Sequence, residues 1–128
     1  MVGNMGLGER EWDGRPVWDR AVLRQHAGGD TALEARLVGS FLTDAPGRLG
    51  KILDAAVRED FPEIVQAAHA LRGPAAMIAG QVVRGITEAL VKAATAADAV
   101  ATGQLIRLLD DALGELLQQI RESARAAS

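Results

Sequence analysis

From Leu33 to Ile120 the apolar residues of this chain recur every three to four positions, with no sustained two-residue alternation. That period places them on one side of successive helices and leaves no segment that reads as a strand. Residues 18–26, opened by Pro16-Val17-Trp18, form a short helix that Gly28-Gly29 stops. Asp30 then caps a segment with Leu33, Leu37, Val38, Phe41, Leu42 and Ala45 on one face. Pro46 is expected to kink or restart that helix, because proline lacks the amide donor and clashes with the preceding turn. Leu49, Ile52, Leu53, Ala56 and Val57 carry the stripe on to about Glu59. Asp60-Phe61-Pro62-Glu63 is a second start signal, with an aspartate cap, a proline in the first turn and an acid three residues after the cap. The helix it opens is expected to end near Gly80. Val82, Val83, Ile86, Ala89, Leu90 and Ala93 mark the next helix. Leu105, Leu108, Leu109, Ala112, Leu113, Leu116, Leu117 and Ile120 mark the last, capped by Asp98 or starting at Thr102. Four long amphipathic segments with short connections predict an all-α fold. The expected architecture is an antiparallel four-helix bundle with one or two additional N-terminal helices. Residues 1–15 read as a flexible leader, 16–124 as the domain and 125–128 as a frayed tail.

One residue does not fit its helix. With about 100° per residue, Ile64, Ala68, Leu71, Ala75 and Ile78 lie within about 40° of a common direction, whereas His69 lies about 140° away. Pro62, Gln66, Gly73 and Ala76 share its side, and Arg72 sits at the edge. The imidazole is thus predicted to face solvent, with a guanidinium one turn on and no bulk beside it. Gly73 costs about 1 kcal/mol relative to alanine inside a helix, and Pro74 is a second unfavourable residue at the same place. Such local violations concentrate where function outweighs stability. A neutral imidazole carries a free lone pair and is a competent nucleophile toward phosphorus. The charge that a phosphoryl group brings can be met by Arg72. His26, at the end of a short helix beside two glycines, reads as a solvent or capping residue.

Composition narrows the partners. The chain has 128 residues, 48% of them hydrophobic and 24% charged, with a net charge of −3. Acids and bases are interspersed, which argues against a nucleic-acid partner. No apolar run approaches the ~18 residues of a membrane span, so no membrane insertion is expected. The absence of cysteine fits a reducing compartment, and the Gly-rich, acidic start lacks the pattern of a signal peptide, so a cytoplasmic location is expected. No phosphate-binding glycine loop is present, and neither a second histidine nor a cysteine stands at metal-ligand spacing. A phosphoryl acceptor without means of activating the donor needs a donor that brings them.

The run Ala68-His69-Ala70-Leu71-Arg72-Gly73 resembles the His-x-Leu-Lys-Gly signature of histidine phosphotransfer (HPt) domains of two-component phosphorelays. Similarity extends over about residues 17–122, including Gly29-Asp30, Phe41-Leu42-Thr43-Asp44-Ala45-Pro46 and Asp60. The resemblance implies that His69 is the phosphorylated residue and that Arg72 stands where lysine is usual. Gly73, with Gln66, Ala76 and Pro62, would give the partner access. It also implies that receiver domains, of response regulators or of a hybrid histidine kinase, are the partners. They would supply the Mg²⁺ and the catalytic groups, so the chain itself would be a phosphocarrier without a cofactor or autonomous catalysis. Arg72, Pro74, Met77 and the position of Gly80 depart from the family pattern. The rival expectations are a module that binds receivers without turnover and a structural helical adaptor, from which a phosphotransfer assay discriminates.

Overall fold

The computed structural model describes Trp12 and residues 14–127. Among these residues it contains five helices and no strand: α1 (Arg20–His26), α2 (Thr31–Val57), α3 (Phe61–Met77), α4 (Gln81–Thr95) and α5 (Ala99–Ala127). Helices α2 to α5 form a closed ring in which α2 packs on α3, α3 on α4, α4 on α5, and α5 back on α2. This is the expected four-helix arrangement, with α1 as the one additional helix among the described residues. The core at its centre is built from small and aliphatic side chains, among them Ile52, Ile64, Leu71, Leu90, Leu109, Leu113 and Leu116.

The caps are mostly where the sequence puts them. Asp30 accepts from the Leu33 amide, Asp60 from the Glu63 amide and Asp98 from the Ala101 amide, so Asp98 rather than Thr102 starts α5. The first helix begins two residues later than expected, because Asp19 caps it through the Val22 amide. The last continues to Ala127, and the Ser123 hydroxyl accepts from Arg20 Nη1 at 2.7 Å. At Pro46 the structure differs from expectation: α2 runs through it without a restart. Pro46 is exposed, so the hydrogen bond it removes lies where water can compensate. Beyond it Ile52 and Ala55 face the core, whereas Leu53 and Val57 do not and are 38% and 84% exposed. Most of the proposed leader, residues 1–11 and 13, lies outside the described residues. Trp12 packs against the core, and its indole Nε1 donates to Glu115 Oε1 at 3.3 Å.

The three connections within the ring share one design. Residues 58–60, 78–80 and 96–98 each place their middle residue at positive φ: Glu59 at 54°, Ala79 at 69° and Ala97 at 53°. The amides of the second and third residues then turn back onto the last carbonyls of the preceding helix, as in Gly80 N to Ala75 O at 2.8 Å and Ala79 N to Ala76 O at 3.0 Å. This is the Schellman termination. The third residue (Asp60, Gly80 or Asp98) is at once the cap of the next helix. α3 therefore ends at Met77, and its left-handed residue is Ala79 rather than Gly80. Gly80 is needed for space: a Cβ there would stand 2.7 Å from Leu116 Cδ2.

Candidate functional site

The buried stripe of α3 is Ile64, Ala67, Ala68, Leu71 and Ala75, continued by Ile78, and it turns the opposite face outward as the periodicity requires. His69, Pro62, Gln66 and Gly73 are exposed on that face, while Arg72 and Ala76 are half-buried at its edge. A Cβ at Gly73 would meet nothing within 4 Å, so no packing within the chain demands glycine there. Six other helical glycines are equally open, so what distinguishes Gly73 is its place one turn from His69.

Each flank of α3 brings a group that sequence reasoning missed. From α4, Glu88 places Oε2 3.4 Å from Arg72 Nε, and the same oxygen lies 2.7 Å from Arg84 Nη1. From α2, Arg48 Nη1 donates to the carbonyl of Ala70, the residue after His69, at 3.3 Å. The Nε atoms of both Arg48 and Arg72 are buried without a hydrogen-bond partner. One guanidinium thus stands a turn from His69 and another reaches the carbonyl of the next residue, a concentration of positive charge suited to an anion. The Arg84–Glu88 pair is visible in the sequence as an i,i+4 pair. Its reach to Arg72, and that of Arg48 to α3, depend on the register between helices, which no local pattern encodes.

Shallow grooves run along both sides of α3. One, of about 130 Å³, lies against α2 and is lined by Phe41, Ala45, Arg48, Pro74, Met77 and Ile78, with Met77 47% exposed. The other, of about 520 Å³, lies against α4 and includes Pro62 and Gln66 with Phe61 and Val65. Among the described residues, no group of three or more His, Cys, Asp or Glu is placed to hold a metal ion. No helix there is long and apolar enough to cross a membrane. His26 is remote from His69 in role. Its Nδ1 lies 2.8 Å from the Met77 carbonyl, so that nitrogen carries the proton and donates to the end of α3. The expectation of a capping histidine holds, although the helix it caps is not its own.

No curated protein and no solved structure matches the chain significantly. The sequence model of the Hpt domain matches residues 36–123, which takes in α3, α4 and nearly all of α2 and α5. With more than half of its length matched, and folded as a ring of helices, the chain belongs to the histidine phosphotransfer domain family, whose role is in phosphorelay signalling.

Proposed function

We propose that the protein is an intermediate of a phosphorelay, taking a phosphoryl group onto His69 from an aspartyl phosphate of a receiver domain and passing it to the aspartate of another. The lone pair of the imidazole attacks phosphorus, the P–O bond to the aspartate breaks, and the carboxylate leaves; onward transfer is the reverse with a second receiver. The receiver supplies Mg²⁺ and the activating groups, and this chain acts as a cytoplasmic phosphocarrier. Arg72 and Arg48 offset the charge that arrives with phosphorus. Gly73 lets the receiver reach the ring, with Gln66, Ala76 and Pro62 on the contact face.

The observation that carries this reading is an exposed imidazole with open space at Gly73, Arg72 one turn on and Arg48 on the carbonyl of the next residue. Incubation with phosphorylated receiver domains should give an acid-labile phosphohistidine, absent from His69→Gln. Uptake by His69→Gln equal to that of the wild type would overturn the assignment.

A further inference from the structure

Arg72 is the cation best placed by sequence to meet a phosphoryl group on His69, yet it is already paired. Glu88 Oε2 stands 3.4 Å from its Nε, without the alignment of a hydrogen bond, since that Nε has no hydrogen-bond partner. The reason lies on the other side of the carboxylate. Arg84 Nη1 holds the same oxygen at 2.7 Å, and Arg84 is itself fixed through Nε to Gln81 Oε1 at the same distance. The chain Gln81–Arg84–Glu88–Arg72 thus grades from tight to loose as it approaches α3. One carboxylate oxygen serves two cations, and the nearer one to His69 has the weaker share.

We propose that Glu88 is a positioning residue that competes with the phosphoryl group for Arg72, and that Arg84 sets how strongly it competes. This rests on His69 being the phosphoacceptor. When His69 is phosphorylated, two anions claim one guanidinium. Because Glu88 is anchored by Arg84, Arg72 can leave it without stranding a carboxylate, and Glu88 is not free to follow. The energy of phosphohistidine therefore depends on a contest set outside the active face. A carrier must neither hold phosphate too tightly nor lose it to water, and this contest is a means of adjusting that balance.

The test uses the full chain phosphorylated by potassium phosphoramidate, which needs no cognate receiver. The reagent's P–N bond breaks, ammonia leaves, and a new P–N bond forms to the His69 imidazole. After the reagent is removed, loss of phosphohistidine is followed by ³¹P NMR. Water attacks phosphorus, the imidazole nitrogen leaves with a proton, and inorganic phosphate is released. Arg72 near the phosphoryl group opposes protonation of that nitrogen and so slows the loss. All three side chains are at least a third exposed, so each variant should fold, with melting temperature as the check. Glu88→Gln releases Arg72 and should lengthen the phosphohistidine lifetime by about two- to five-fold, the range open to exposed ion pairs. Arg84→Gln frees Glu88 to take Arg72 and should shorten the lifetime. In an Arg72→Ala background both effects should vanish. Shifts in the same direction, shifts that persist without Arg72, or no shift in either variant would overturn the proposal while leaving phosphorylation of His69 intact. Absence of label at His69 in the wild type would overturn the proposed function, and this inference with it.

Discussion

Gly73 has no structural need to be glycine: its Cβ position is open and its backbone is ordinary helix. A leucine there should leave stability unchanged or raise it by up to about 1 kcal/mol. It should nevertheless slow phosphotransfer from a receiver by about ten-fold or more, equivalent to about 1.4 kcal/mol in docking. Gly114→Leu, at an equally open glycine exposed on α5, is the control and should leave transfer unchanged. A normal rate in Gly73→Leu would dismiss the clearance role. Arg72→Ala and Arg48→Ala should each shorten phosphohistidine lifetime or slow transfer by about three- to ten-fold, the scale of a charge-assisted bond reduced by solvent. Arg72→Lys should keep most of the activity. Circular dichroism melts should show only small changes, and lifetimes matching the wild type would reduce these arginines to surface residues. His69, Arg72 and Gly73 were legible in the sequence because one helix's periodicity orients all three. Arg48 and Glu88 were not, because they reach the site from other helices, and a helical wheel carries no information across an interface.

At the level of the element, boundaries follow caps, and the caps that use side chains were readable. Asp30, Asp60 and Asp98 all accept the amide three residues on. The terminations were harder to read, because the positions that usually carry glycine hold Glu59, Ala79 and Ala97 instead. A left-handed conformation costs a non-glycine residue about 1–2 kcal/mol, and glycine recovers part of this after its larger unfolded-state entropy. Ala97 is exposed, so Ala97→Gly should raise stability by about 0.5–1 kcal/mol in denaturant unfolding. Gly80→Ala should do the opposite. Its new methyl would press on Leu116 inside the core, an overpacking that costs about 1–3 kcal/mol. A similar limit of local reading explains α2. The apolar stripe on its second half includes Leu53 and Val57, but the ring offers a neighbour only to the side that holds Ile52 and Ala55.

At the scale of the molecule, α1 and the residues before it close one end of the ring. His26 Nδ1 donates to Met77 O, Trp18 Nε1 to Ile78 O at 3.0 Å and the Asp19 amide to Ala79 O at 3.2 Å. With the Ile78, Ala79 and Gly80 amides turned back onto Pro74, Ala76 and Ala75, every carbonyl from Pro74 to Ala79 has a donor. Burial of Val17, Leu23 and Ala27 fixes α1 in place, and Arg20 and Arg24 reach across to Glu34 of α2. His26→Ala should cost about 1 kcal/mol, one ordinary hydrogen bond, visible as a melting temperature lower by a few degrees. An unchanged melt would show that water replaces that donor without loss. This clasp has a practical consequence for where the domain can be cut. The family match begins at residue 36, inside the second turn of α2, so a fragment trimmed to it retains His69 but discards Asp30 and all of α1. The carbonyls of Met77, Ile78 and Ala79 would then be stripped of their donors, and amide hydrogen exchange at Ile78, Ala79 and Gly80 should quicken in the fragment relative to the full chain. The softened turn is the one that carries Met77 beside the α2–α3 groove, so phosphotransfer rates taken from a minimal fragment would underestimate those of the intact protein.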